Sequence, residues 1–304
     1  MKNGQAIMTA CLLFAVASSA TAQLIVTNVP VADTFVRSLD PTHNFGGAGA
    51  LSVAGSIATN IIGQQEGLLD SFLRFDVSSV VSNFNSSFGV GQWAISRVIL
   101  NVTEQTDVNN TIFNGGVGQF EIRWIATNSW TEGSGKPNAP TTDGITWNDE
   151  PSLLKSNLDK SIGMFFNGGT NGVVRLPLGA SNSFVSNLST GSLVSLYLTA
   201  TTNSTIGFTF HSRNFVDPTQ WPFLEITAVP VSRIISLVIV GSDVKISFAT
   251  TNSSTYSVQY NNDLTTTNWS VLTNVTGAGN IPTVTDIGAA TLPKRFYRVG
   301  VETP

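Results

Sequence analysis

Phe72-Leu73-Arg74-Phe75-Asp76-Val77, residues 72–77, alternates without a break: Leu73, Phe75 and Val77 fall on one side of an extended chain, and Phe72, Arg74 and Asp76 on the other. A period of two with one apolar side marks a strand that gives one face to a core. The same reading extends along the chain. In FEIRWI (120–125) the row Phe120, Ile122 and Trp124 leaves Glu121 and Arg123 opposite, and in LVSLYL (193–198) Val194, Leu196 and Leu198 leave Ser195 and Tyr197. Around TFHSRN (209–214), Phe208 and Phe210 take the inner side and Thr209, His211 and Arg213 the other. Helical spacing is scarce, with candidates of a turn or two at Ser78–Phe84 and Leu153–Leu158. Charged residues are 11% of the chain, and Gly, Ser, Thr and Asn fill the gaps between short apolar runs, which makes it all-β with many turns.

Residues 1–22 read as a secretion signal: Lys2, an apolar stretch from Ala6 to Ala17, and Ala20-Thr21-Ala22 as the cleavage site before Gln23. The apolar stretch is shorter than the ~20 residues that cross a bilayer, and no later segment reaches that length, so a secreted chain without a membrane span is expected. Cys11 is the single cysteine and would leave with the signal. Disulfides, cysteine-ligated zinc and cysteine nucleophiles are thereby excluded from the mature chain. A net charge of -4 offers no footprint for nucleic acid or an anionic membrane, so an acidic polymer would have to meet a local basic patch.

The chain shows one seam. Trp221–Ile226 reads as a closing strand and Ala228-Val229-Pro230 as a short linker. Beyond it, IISLVIV (234–240), a turn at Gly241-Ser242-Asp243 and VKISF (244–248) form a hairpin signal, and TYSVQY (255–260), WSVL (269–272), PTVTD (282–286) and RFYRV (295–299) add four strands. About six strands in so short a span suggest a small Ig-like or fibronectin-like sandwich. The expected organisation is a signal at 1–22, a large β-sandwich at 23–228 and an Ig-like module at 229–304.

ADTFV (32–36), NFGG (44–47), FLRFDV (72–77), SWTEG (129–133), GITWN (144–148) and TFHSRN (209–214) stand in that order. Their order and spacing resemble the DNRLRE-type domain, grouped with carbohydrate-binding module family 96, over residues 26–228. The resemblance implies a jelly-roll-like β-sandwich that binds polysaccharide without catalysis.

If the alternating strands share one sheet, its outer face carries Arg74, Arg123, Tyr197, His211 and Arg213. Guanidinium groups pair with carboxylates and aromatic rings can stack on sugar rings, which suggests an acidic, uronic-acid glycan of the alginate or pectin type. The alternative is a solvated face with neutralising pairs such as Arg74–Asp76. Arg37, in FVRSLDPTHNFGG (35–47), joins the candidates because this segment resembles the family's variable loop. Trp130 and Trp147 flank the excursion GSGKPNAPTTDG (133–144) and are expected to pin it to the core. Trp93 and Trp221 read as sheet packing, and Trp269 as a core residue of the small module.

Asp33, in the family's opening motif, is the candidate ligand for a structural calcium, with Asp76 and Glu132 behind it; no D-x-D-x-D-G loop occurs. Three function classes stay open: a glycan-binding module, a structural or adhesive protein whose β face binds protein, and a polysaccharide lyase using Tyr197, His211 and Arg213. A glycosidase pair of Glu132 with Asp149 or Glu150 is conceivable, but enzyme activity is not expected. The C-terminal module is expected to space the larger one or to dock it to another secreted protein.

Overall fold

The structure, a computed structural model, describes residues 23–60, 62–104, 119–166, 172–200, 204–251 and 254–301. The expected secretion signal at residues 1–22, Cys11 included, lies outside the described residues. The described chain divides into two units, one spanning Gln23–Val231 and one beginning at Ser232.

In the larger unit the alternating segments become β1 (Leu24–Asn28), β2 (Pro30–Arg37), β3 (Ala50–Ala54), β4 (Leu69–Asp76), β5 (Trp93–Glu104) and β6 (Gln119–Ile125). There follow β7 (Lys160–Phe166), β8 (Gly172–Leu178), β9 (Leu193–Ala200), β10 (Gly207–His211) and β11 (Phe223–Pro230). They pair antiparallel in the order β1-β11-β5-β10-β3-β4-β9-β6-β7, with β2 added to β4 and β8 to β5. The sheet turns over on itself, so that Gly179 N–H, just past β8, donates to the Ile162 carbonyl of β7 at 2.5 Å. The inward rows then meet as one core, in which Leu73 and Phe75 of β4, Leu196 of β9 and Phe208 of β10 join Leu100 of β5 and Ile226 of β11. Burying each such side chain contributes about 1.5–3 kcal/mol. The result is an all-β sandwich.

Among the described residues three α-helices interrupt the strands: α1 (Ser78–Phe88), α2 (Glu150–Leu153) and α3 (Asn182–Ser189). The first runs 11 residues, longer than the turn or two expected. Val80, Phe84 and Phe88 repeat every four residues and bury one stripe in the core, while Ser and Asn on the other faces mask the helical signal. In α3, Ser181 accepts from Phe184 N–H as the cap, and Phe184 and Leu188 are buried one turn apart.

Ala228–Pro230, expected as a linker, is the end of β11, in register with Ile95, Ala94 and Trp93 after a bulge at Thr227/Ala228. Proline can sit there because a strand end next to a bulge does not need its N–H.

The second unit holds β12 (Ile234–Val240), β13 (Asp243–Phe248), β14 (Thr255–Asn261), β15 (Ser270–Thr276), β16 (Thr283–Asp286) and β17 (Phe296–Val301). They form two three-stranded sheets, β12-β13-β16 and β15-β14-β17, around Ile246, Phe248, Tyr256 and Val258. Gly241, at φ 64, makes the β12–β13 turn. The edge strand β12 is apolar and open, with Leu237 and Ile239 at least half exposed. Trp269, expected in this core, is instead half-buried under Arg298, whose Cζ lies 4.4 Å from the ring centroid.

Candidate functional site

The face of β2-β4-β9-β6 that carries Phe72, Arg74 and Tyr197 is not solvated. The segment from Ile125 to Leu154 folds back over it and builds a second apolar layer of Val36, Phe72, Trp130, Ile145, Leu153 and Tyr197. Trp130 is the pin the sequence suggested: it is 5% exposed, its ring stands 5.9 Å from that of Phe72, and its Nε1–H donates to Ser195 Oγ at 3.1 Å. Arg74 lies beneath it, donating through Nη1 to the carbonyls of Asn128 at 2.8 Å and Trp130 at 2.5 Å. Its Cζ is 4.7 Å from the Trp130 ring centroid. Burial lowers the Arg74 pKa.

Asn44 holds the far end of the same segment. Its Nδ2 donates to the carbonyls of Glu132 at 2.7 Å and Ile145 at 2.9 Å, and its Oδ1 accepts from Gly46 N–H and Gly135 N–H. Its backbone N–H donates to the Thr141 carbonyl at 2.6 Å. A Cβ built on Gly135 would lie 1.8 Å from the Asn44 carbonyl oxygen, so only glycine allows this approach. The NFGG and SWTEG segments are therefore two halves of one backbone clamp.

Between pin and clamp sits an ionised knot. Arg213 Nη2 reaches Glu132 Oε2 at 2.7 Å, its Nε is 3.1 Å from both Glu132 oxygens, and Asn214 Nδ2 donates to Glu132 Oε1 at 2.6 Å. The bonds to Glu132 raise the Arg213 pKa. The Arg213 backbone N–H donates to Asp33 Oδ2 at 2.7 Å. Asp33 is fully buried beside Glu132, and burial first, then that neighbouring carboxylate, push its pKa up to about 7.

A second knot joins Tyr197 OH to Asp70 Oδ2 at 2.9 Å and to Glu150 Oε1 at 2.6 Å. Burial raises the pKa of all three groups. His211, also buried, stacks on Phe215 at 3.6 Å; burial lowers its pKa against the opposing pull of Gln220 and Asp217.

The expected outer face is thus corrected in one respect: Tyr197 and His211 are 3% and 4% exposed, and Arg74 and Arg213 are bound into knots that fix the covering segment. The physical reason is that apolar Phe72 and Val36 on that face required a cover of their own. Arg123 remains at its margin, half-buried, in register with Tyr197 of β9 and Ser161 of β7.

Arg37 lies elsewhere, lining a cleft of about 210 Å³ with Asp40, His43, Phe45, Glu66 and Pro137. The set around Asp33 supplies two carboxylates, one already bonded to a guanidinium, whereas calcium takes six to eight oxygens. No group of three or more potential metal ligands occurs among the described residues.

On the outer face of the opposite layer two arginines reach solvent above a buried row of Ile99, Asn101 and Thr227. Alternation puts Ile25 and Thr27 of β1, Glu225 of β11, Arg97 of β5 and Arg175 of β8 on the outside of adjacent strands. The Arg97 and Arg175 side chains are 53% and 52% exposed and both reach Glu225. Arg175 Nη2 lies 3.0 Å from each Glu225 oxygen, and Arg97 Nη2 lies 3.5 Å from Oε1. Two guanidinium groups on one carboxylate leave positive charge on this face, with about half of each arginine side chain open to solvent. The sequence carries each arginine in an alternating run, SRVILNV and VVRLPL. Their convergence, however, joins positions 50 and 128 residues apart from Glu225 and is visible only in the fold.

Carbohydrate-binding module family 96 matches this sequence over residues 25–228, from β1 into β11. A search of curated proteins returns no match. Among the described residues no helix is long and apolar enough to cross a membrane. The match takes in the larger unit almost entire and well over half of the chain, so the protein belongs to carbohydrate-binding module family 96, and carbohydrate binding is the work of that unit.

Proposed function

We propose that this is a secreted, non-catalytic polysaccharide-binding protein whose larger unit holds an acidic glycan, of the alginate or pectin class, on the outer β1-β11-β5-β8 face. The observation that supports the reading is the Arg97–Glu225–Arg175 group, in which about half of each arginine side chain stays open to solvent. A uronate carboxylate can pair with either planar fork. The apolar runs beside it, such as Ile25 and Val173, suit the C–H faces of sugar rings.

The non-catalytic part rests on how the acidic side chains are used. Glu132 is tied to Arg213 and Asn214, Glu150 to Tyr197, and Asp149 accepts from Thr146 in a capping box. Secretion rests on the signal-like residues 1–22. The smaller unit offers a second kind of contact, since the open apolar edge of β12 is suited to docking another secreted protein.

Binding of polyuronate and of neutral glucan should be compared at rising salt, on the natural chain and on Arg97→Ala with Arg175→Ala. The polyuronate should bind more tightly, weaken as salt screens charges beyond ~8 Å, and lose about tenfold or more in the double variant. Affinity should be taken per folded molecule, because Glu225, 13% exposed, loses both guanidinium partners in the double variant and the melting temperature should fall with them. Equal, salt-insensitive binding of both polymers would overturn the acidic-glycan reading, and release of ultraviolet-absorbing unsaturated uronates would overturn the non-catalytic one.

A further inference from the structure

The rim cleft around Arg37 has the wrong charge for an acidic ligand. Arg37 Nη2 sits 2.6 Å from Glu66 Oε2, its Nη1 2.9 Å from Asp40 Oδ2, and its Nε donates to the Glu66 carbonyl at 3.0 Å. Two carboxylates against one guanidinium leave excess negative charge, and a uronate entering here would face Asp40 and Glu66. The same groups are well placed for hydroxyls, since carboxylates accept from O–H and the guanidinium donates.

The cleft is also built in advance. Asn60 Nδ2 holds Glu66 Oε1 at 2.8 Å, so the acceptor is fixed from both sides. Phe35 and Phe45 stack at 4.7 Å with an 8° tilt and form a rigid apolar floor. Pro137 and Pro140, from the tip of the clamped excursion, stand exposed as a wall. An apolar floor with a few converging polar groups is the usual composition of a small-molecule site. At about 210 Å³ the space is below the roughly 300–1,000 Å³ of clefts that hold larger ligands, so it suits one ring rather than a run of polymer.

We infer that this cleft is a second carbohydrate site, separate from the outer sheet face, which takes a single uncharged sugar ring such as a chain end or side branch. The inference takes the family's carbohydrate binding as given but does not depend on the acidic-glycan reading of the sheet. Its ligand differs in charge from the one proposed there, so one protein would hold a charged chain on its face and a neutral terminus at its rim.

The test uses the full chain and four probes: the methyl glycosides of glucose, galactose and mannose, and methyl glucuronide, followed by NMR with the resonances of Phe45, His43 and Glu66 as reporters. At least one neutral glycoside should shift these reporters, and methyl glucuronide should bind about tenfold more weakly or worse. His43→Trp, which places an indole in the mouth, should abolish that binding. Asp40→Asn keeps the shape but removes a negative charge and should narrow the gap between neutral and charged glycosides. Arg97→Ala with Arg175→Ala should leave it untouched, so failure on the sheet face and failure in the cleft give different patterns. Absence of any neutral glycoside binding, equal binding of the glucuronide, or an effect confined to the sheet-face variant would each overturn the inference.

Discussion

Arg213→Ala separates a structural role from a ligand-binding one. The side chain makes the 2.7 Å contact to Glu132 and two further approaches at 3.1 Å, with Glu132 only 12% exposed. Removing it leaves a nearly buried carboxylate held by Asn214 alone and set beside Asp33. A charge-assisted hydrogen bond contributes about 1.5–3 kcal/mol, and the partial exposure of Arg213 keeps the cost toward the lower end of that range. For a unit of this size about 2 kcal/mol corresponds to a fall in melting temperature of roughly 4–8 °C. Calorimetry on the natural chain, Arg213→Ala, Glu132→Gln and the double variant gives the coupling between the two side chains as well as the total. Polyuronate affinity per folded molecule should be unchanged. An unaltered melting temperature together with weakened glycan binding would refute the argument that Arg213 is consumed by the fold.

Asp33 sets a pH dependence of definite sign. Its pKa is about 7 in the folded chain against 3.8 unfolded, so folding retains a proton between those values and stability should fall as pH rises from 4 through 7, by on the order of 4 kcal/mol. Asp70 and Glu150 push the same way; urea titrations across this range should show a shallower slope in Asp33→Asn, and an identical slope would count against the burial argument. Trp130→Phe removes the indole N–H bond to Ser195 and should cost about 1–2 kcal/mol in chemical denaturation while glycan binding on the opposite layer stays intact. Gly135→Ala forces a Cβ against the Asn44 carbonyl and should cost roughly 2–4 kcal/mol, with early proteolytic cutting in residues 133–144 as its signature.

Alternation in the sequence reveals which residues line the main core, because one strand alone decides the side of each. Leu73, Phe75, Phe208 and Phe210 are read correctly for that reason. What covers the other side is a long-range matter. Arg74 and Tyr197 look solvated until the segment that begins at Ile125 folds over them, and Phe72 on the same row is the one local sign of a cover. The pin at Trp130 is legible because a Trp next to a Gly- and Pro-rich excursion has few other roles. The Arg97–Glu225–Arg175 group is not, since it depends on the pairing of three strands. In α1, Ser and Asn on the outward faces conceal a helix that Val80, Phe84 and Phe88 hold by packing alone.

The Asn44 clamp has a bearing on how such a module can diversify. It fixes the excursion at Glu132, Gly135, Thr141 and Ile145 and leaves the stretch between Gly135 and Thr141 outside the anchor points, closed on itself by a mutual backbone pair between Lys136 and Ala139. Residues there can be lengthened, shortened or exchanged without disturbing the register of any strand. Because Pro137 and Pro140 of that same stretch wall the rim cleft, a change of loop is a change of pocket. The scaffold is thus a socket and the stretch between Gly135 and Thr141 its insert: exchanging the insert would reshape the cleft while the strand pairing beneath it is kept.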